Sequence, residues 1–297
     1  MGSASGAGTG IAVDGTNNVY ITGESSATWR SPQNAHPGTG NWTAAFAAKL
    51  DSSGTIQWNT FMGSTQTDLS SAIAVDTTGN VYVAGTSYAT WGSPLNAFTG
   101  GTNAFLVKLN SNGTQVWHTF IGSTSKVWGK AIALDSTDAP HLSGYSNVSW
   151  GSPINAHTGG GNDAYVAKLS TDGVLLWNTF MGSTDNDEGR AIAVDSTDNV
   201  FLAGDSMATW DSPVTPYTGS REAFVAMICA SCYLVSTSAP AGQGSFIPET
   251  QTVDLGNTTT FDINAETGYE IDTVSGCGGI WTGSTPIRPD PSLMNVR

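Results

Sequence analysis

The stretch AIAVDTTGNVYVAGTSYATWGSPLNAFTGGTNAFLVKLNSNGTQVWHTFI spans residues 72–121 and carries the pattern that determines the fold. It contains four short apolar runs, at residues 72–76, 80–85, 104–109 and 114–121. Each run has the length of a strand and is bounded by Gly, Asn, Asp or Ser. The segments DTTGN and NSNGT supply the residues that tight antiparallel hairpins require. The stretch therefore predicts four antiparallel strands in chain order.

This pattern recurs along the chain with a period near 60 residues. The loop tryptophans with spacings of 62, 59 and 60 are Trp29, Trp91, Trp150 and Trp210. The aspartates that close IAVD or IALD runs at the same spacings are Asp14, Asp76, Asp135 and Asp195. A third series, with spacings of 59 and 60, consists of Trp58, Trp117 and Trp177. Four antiparallel strands repeated at this period predict the blades of a β-propeller.

We therefore predict an all-β chain with a partial β-propeller in residues 1–228. The expected blades cover residues 1–63, 64–122, 123–182 and 183–228, and the last lacks a WNTF-like outer strand. Closed propellers have 4–8 blades. Two explanations remain open. Either the chain is part of a longer product, or it forms a four-bladed or dimer-completed ring. The incomplete blade also predicts self-association through an open strand edge.

Charge and composition exclude several classes of function. The 297 residues include 10 Lys+Arg and 24 Asp+Glu, which gives a net charge of −14. Nucleic-acid binding requires clustered basic residues, so we expect no nucleic-acid partner. No apolar run reaches the length of a membrane span, so we expect none. The hydrophobic content of 39% is sufficient to build a core.

The units GNVYVAGTS, NAFLVKLNSNGTQVWHTFIGS and AIALD resemble the SBBP-type bacterial β-propeller repeat over residues 1–228. Such repeats are similar to those in large exported or surface-attached bacterial proteins. The resemblance implies a scaffold and brings no catalytic residue with it. The expected location is extracellular or at the cell surface. The first ten residues, MGSASGAGTG, lack the charged and apolar regions of a signal peptide.

Residues 229–297 differ in composition and are expected to form a small second β module. The segment GQGSFIP, the strand pair TTTFDINAETGYEI and the motif GCGG resemble a truncated internalin-type B-repeat. In an exported protein we expect a disulfide between Cys232 and Cys277, with Cys229 free. Cys229 and Cys232 alternatively form a redox or half-zinc CxxC pair.

The long loops between the second and third strands hold the candidate binding residues. They share the motif T/S-W-x-S-P, and long loops on a rigid scaffold often carry function. The repeated aromatic positions are Trp29, Trp91, Trp150, Trp210, His36, Phe98, His157 and Tyr217. These rings either stack on a glycan or protein ligand, or pack against their own blade. Packing is favoured, because packing requirements repeat with the blade whereas a binding site need not.

The sequence predicts no enzyme, cofactor or metal site. Asp135 and Asp195 begin D-S-T-D segments, but the equivalent turns contain Gly79 and Asn17 in place of the second acid. These turns are better explained by aspartates that accept backbone N–H bonds than by calcium. Known hydrolase motifs are absent from the sequence. The predicted function is a non-enzymatic scaffold for adhesion or for glycan or protein binding. The alternatives are a secreted polysaccharide lyase or glycosidase, and a structural spacer.

Overall fold

A computed structural model of the protein describes residues 6–38, 42–211 and 213–228, together with six short strands between residues 232 and 296. The chain divides into two units, Met1–Ile228 and Cys229–Arg297. All regular elements of the described residues are strands, which confirms the predicted all-β class. No helix in this part of the chain is long and apolar enough to span a membrane.

The first unit consists of four consecutive antiparallel sheets, each with its strands in chain order. Blade 1 contains β1 (Gly6–Val13), β2 (Val19–Ser25), β3 (Ala44–Leu50) and β4 (Ile56–Met62). Blade 2 contains β5 (Asp68–Val75), β6 (Val81–Ser87), β7 (Asn103–Leu109) and β8 (Gln115–Ile121). Blade 3 contains β9 (Val127–Leu134), β10 (Pro140–Ser146), β11 (Asp163–Leu169) and β12 (Leu175–Met181). Blade 4 contains β13 (Asp187–Val194), β14 (Val200–Ser206) and β15 (Glu222–Ile228). These sheets confirm the predicted partial propeller.

The first strand of each blade starts earlier than the apolar run predicts. In blade 2, β5 begins at Asp68, and a bulge between Ser70 and Ala72 separates its polar and apolar halves. The polar half is tolerated because its groups are paired. The Asp68 carboxylate is buried and accepts hydrogen bonds from the Ser64 backbone N–H, at 2.6 Å, and from the Ser87 hydroxyl.

The core of the propeller lies in the seams between successive blades. Each blade has a trailing face, which contacts the next blade, and a leading face, which contacts the previous one. In the first seam, Tyr20 and Ala47 of blade 1 cluster with Ile73, Val83 and Val107 of blade 2. The first strand of a blade packs against the first and second strands of the blade before it. Both faces of the internal blades are therefore apolar.

Short turns join the first strand to the second and the third to the fourth. In blade 2, the Asp76 carboxylate accepts backbone N–H bonds from Thr78, at 2.9 Å, and from Asn80, at 2.8 Å. Burial raises the pKa of Asp76, but these bonds and those from the side chains outweigh it and lower the pKa. Gly79 has a φ of 83°, which glycine adopts at no steric cost. The aspartate thus serves the turn, as the repeated pattern predicts.

The second unit contains three strand pairs. They are β16 (Cys232–Ser236) with β18 (Thr250–Asp254), β17 (Gly244–Ile247) with β19 (Asp262–Ala265), and β20 (Ile271–Val274) with β21 (Met294–Val296). The first two pairs are antiparallel and the third is parallel.

Candidate functional site

The long loops and the links between blades emerge at one end of the strands, and the short turns emerge at the other. Each complete blade folds its long loop back along its outer strand. The loop backbone N–H groups of Gln33, Leu95 and Ile154 donate to carbonyls of β4, β8 and β12 at 2.8, 2.9 and 2.8 Å. The loops therefore occupy the outer strand edges, which protects these edges from pairing with other chains.

Three of the loop tryptophans are buried against their own blade. Trp91 is 9% exposed, and its ring stacks on His118 with centroids 3.9 Å apart and planes at 8°. Phe105 and Phe120 meet the same ring edge-on, at 5.9 and 5.7 Å. Trp29 and Trp150 are each 5% exposed and pack edge-on against two aromatic rings of their blades. A ligand at these positions would meet only a small part of each ring.

Trp210 in blade 4 has a different environment. It is half-buried and packs edge-on against Phe224, with centroids 5.3 Å apart. The corresponding rings in the other blades also contact a phenylalanine of the outer strand, such as Phe120 on β8. Within the described residues blade 4 has three strands, so Trp210 lacks that second partner there.

The second aromatic residue of each loop lies against its own loop or its own blade. The ring nitrogens of His36 lie 3.0 Å from the carbonyl oxygens of Ser25 and Gly38. Nε2 of His157 lies 3.0 Å from the Gly161 carbonyl oxygen. The remaining two residues show the same behaviour. Phe98 packs edge-on against Phe120 at 5.4 Å, and the Tyr217 hydroxyl donates to the Met207 carbonyl at 2.7 Å.

The predicted cysteine pair is not tested by the structure. Cys232 is the first residue of β16, where only the backbone is described. Cys229 and Cys277 lie outside the described residues. The disulfide between Cys232 and Cys277 stays a prediction.

A cluster of exposed and half-buried aromatic residues lies at the long-loop end of the inner strands. We define the aromatic cluster as Tyr88, Trp128, Lys130 and Tyr145. Trp128 and Tyr145 are cross-strand partners, and their rings lie 6.0 Å apart at 28°. Tyr88, which is 37% exposed, meets Trp128 edge-on at 6.0 Å. The Lys130 ammonium lies 5.1 Å from the Trp128 ring centroid and 5.4 Å from that of Tyr145.

An ion-pair cluster in blade 4 includes the positions equivalent to Trp128, Lys130 and Tyr145. We define the ionic cluster as Glu188, Arg190, Asp205 and Arg221. Glu188 and Asp205 are cross-strand partners, a placement that is unfavourable for like charges. Both arginines bridge them. Arg190 contacts Glu188 at 2.6 Å and also Asp205, and Arg221 contacts both carboxylates.

The electrostatics of the two clusters are linked. Burial lowers the pKa of Lys130, and the neighbouring Arg190 lowers it further. Burial also raises the pKa of Tyr145, and the Glu188 carboxylate adds to that rise. Burial raises the pKa of Asp205, but hydrogen bonds from Arg221 and Arg190 outweigh it and hold the pKa below its usual value. Asp205 therefore stays ionised and is poorly suited to donate a proton.

The repeat pattern of the sequence predicts neither cluster, because both clusters occupy positions that differ between the blades. Trp128 corresponds to Ala7 in blade 1, Leu69 in blade 2 and Glu188 in blade 4. Tyr145 corresponds in the same way to Glu24, Thr86 and Asp205. In the sequence, the two clusters are marked by large or charged residues at positions where the other blades have different residues.

A polar cleft of about 490 Å³ lies between blades 1 and 2. It is lined by Asn18, Gln33, Lys49, Asp51, Gln57, Trp58, Ser111 and Asn112. Half of these residues belong to the short turns, at the opposite end from the aromatic cluster. The Trp58 indole N–H donates to the Ser111 carbonyl at 2.9 Å, so this tryptophan joins the two blades. In the described part of the chain, no group of three or more His, Cys, Asp or Glu side chains is placed to hold a metal ion.

Residues 58–90 match the family model of SBBP, a beta-propeller repeat. The matched segment runs from β4 of blade 1 into the long loop of blade 2. It supports the propeller interpretation of this part of the chain. The match does not extend to residues 229–297, and their resemblance to B-repeat modules stays a prediction. No curated protein matches the sequence of this chain.

Proposed function

We propose that the protein is a non-enzymatic, extracellular or cell-surface scaffold that binds a neutral glycan through its long-loop end. The observation that carries this proposal is the aromatic cluster. Its rings lie at the end of the strands from which the long loops emerge, and they do not repeat between blades. The location is proposed from the resemblance to repeats of exported proteins.

The chemistry of the site fits a sugar ring. Aromatic faces pack against the apolar C–H faces of a pyranose, as they do against other apolar groups. The Lys130 ammonium and the two guanidinium groups are hydrogen-bond donors, and the carboxylates of Glu188 and Asp205 are acceptors. This mixture of donors and acceptors matches the hydroxyls at the edge of a sugar. A neutral glycan is favoured over an acidic one because the chain carries a net charge of −14.

The alternative of a polysaccharide lyase or glycosidase receives less support. Glycoside hydrolysis requires two carboxyl groups, one of which acts as a general acid. At the long-loop end, Glu188 and Asp205 are both paired with Arg190 and Arg221. Although burial raises the pKa of Asp205, both guanidinium groups lower it below its usual value, so this carboxylate is a poor general acid.

Affinity electrophoresis of the full chain in gels that contain dextran, a mixed-linkage glucan or alginate tests the proposal. We expect at least one neutral polysaccharide to retard migration. Trp128→Ala should abolish the retardation, and Trp42→Ala is the matched control, because Trp42 is a loop tryptophan that is 51% exposed. Retardation that survives Trp128→Ala contradicts this site. Absence of binding to any polysaccharide favours the spacer, and release of reducing ends favours the enzyme.

A further inference from the structure

Two blade faces expose apolar positions that are buried in the seams between blades. On the leading face of blade 1, Ile11 is 70% exposed and Val13 is 56% exposed. The residues equivalent to Ile11 in blades 2 and 3 are Ile73 and Ile132, which are 7% and 9% exposed. The difference arises because β5 and β9 each pack against the preceding blade, whereas β1 has no such neighbour in the described part of the chain.

The trailing face of blade 4 shows the same contrast. Val225 is 74% exposed, whereas its equivalents Leu106 and Val166 are fully buried. Met227, which is 56% exposed, occupies the position where the other blades have a lysine such as Lys108. In blade 2 the Lys108 ammonium reaches across the seam and donates to the Thr171 carbonyl oxygen at 3.2 Å, whereas Met227 gives blade 4 an uncharged, apolar side chain at this position.

Hydrogen-bonding groups at the two faces also match. In the third seam, the backbone N–H and hydroxyl of Ser136 donate to the carboxylate of Asp198 at 2.8 and 2.7 Å. The residue of blade 4 that corresponds to Ser136 is Ser196, and the residue of blade 1 that corresponds to Asp198 is Asn17. Asn17 has a φ of 63°, close to the 66° of Asp198. Within the described residues neither side chain forms a hydrogen bond, so donor and acceptor are both available.

We propose that two copies of the chain join head to tail, with the trailing face of blade 4 in each copy against the leading face of blade 1 in the other. A second copy is the favoured occupant because the contact continues an interface that the chain already forms three times. Two such contacts related by a twofold axis close a ring of eight blades, within the range of 4–8 blades that propellers adopt. The outer part of blade 1 needs no further cover, because Trp29 already packs over Phe46 and Phe61.

Light scattering coupled to gel filtration of the full chain tests this proposal. We expect a mass of twice 30.7 kDa that persists on dilution to the micromolar range. Ile11→Asp and Val225→Asp should each give monomers, because either change places a charge in both contacts. Val116→Asp is the matched control, because Val116 is 56% exposed on an outer strand and should leave the dimer intact. Ser196→Ala should weaken dimerisation by roughly 5- to 100-fold, because it removes one hydrogen bond from each of the two contacts.

A mixing experiment separates loss of contact from loss of folding. An equal mixture of the Ile11→Asp and Val225→Asp chains can form one seam with both native faces, so we expect mixed dimers although neither variant dimerises alone. A wild-type mass of 30.7 kDa at all concentrations overturns the proposal. A dimer that survives Ile11→Asp also overturns it, because association through the open edge of β15 would not involve β1. A ladder of larger masses contradicts the closed ring.

Discussion

The loop tryptophans and the aromatic cluster differ in burial although both lie towards the long-loop end of the strands. Trp91 repeats in every blade, is 9% exposed and contacts three rings of its own sheet. Trp128 occurs in one blade, is half-buried and contacts Tyr88 and Tyr145. A requirement shared by all blades is met by packing, so the repeated residue is buried. A residue needed once is free to face a ligand.

Trp91→Ala offers the largest test of this comparison. Removal of the ring leaves a cavity beside Phe105 and Phe120, so we expect the free energy of unfolding to fall by about 3–5 kcal/mol. Trp150→Ala should behave alike, since its surroundings are copied. Urea denaturation of the first unit, followed by circular dichroism, provides the measurement, with Trp42→Ala as the exposed control. A loss below about 0.5 kcal/mol for Trp91→Ala, the size of an ordinary surface change, would contradict the packing role.

Trp210→Ala should lower the free energy of unfolding by less, about 1–2 kcal/mol. Its ring is half-buried and, within the described residues, lacks the outer-strand partner that the other blades provide. The same urea titration measures the difference between Trp210→Ala and Trp91→Ala. An equal loss in both variants would show that another surface covers Trp210. Repeating the titration on the monomeric Ile11→Asp background distinguishes cover by a second copy from cover within the chain.

A further test concerns the residue beneath the loop tryptophan. Asn59 and Asn178 donate to the carbonyls of Trp29 and Trp150, and His118 contacts the Trp91 carbonyl through Nε2 at 2.8 Å. Burial lowers the pKa of His118 below its usual 6.5, although the bond to Trp91 opposes the shift. Below about pH 6.5 the unfolded chain therefore binds a proton that the folded chain resists, so stability should fall as the pH decreases.

His118→Asn should remove that part of the pH dependence, because asparagine performs the same role in the neighbouring blades. Urea midpoints of both proteins at pH 8, 7, 6 and 5 give the measurement. Buried His141, whose pKa burial also lowers, contributes equally to both proteins and cancels in the comparison. If the urea midpoints of the two proteins change equally with pH, His118 is not the titrating group.

The fold was predictable because its determinants are local and repeated. A run like the one ending at Asp76 occurs in each blade, and a glycine turn between the third and fourth strands occurs in each complete blade. Together they specify an antiparallel meander before any long-range contact is considered. The candidate site was not predictable in this way. Trp128 and Tyr145 are 17 residues apart in the sequence, and only the register of β9 with β10 makes them partners. Arg190 lies on β13 and Arg221 lies in the loop before β15, and no spacing rule indicates that both contact Asp205.

Trp128→Ala should reduce stability less than Trp91→Ala or Trp210→Ala does, and it should have the largest effect on binding. The ring is half-buried, and its contacts are an edge-on tyrosine, an offset tyrosine and the Lys130 ammonium, so we expect a loss of about 1 kcal/mol or less. The same variant should lose retention by the neutral polysaccharide. A variant that is destabilised as strongly as Trp91→Ala would mean that Trp128 is a packing residue, and the contrast between repeated and unrepeated aromatic positions would then fail. Tyr88→Phe separates the two roles further. It keeps the ring contact with Trp128 but removes a hydroxyl, so it should leave the urea midpoint unchanged and weaken only binding that uses that group.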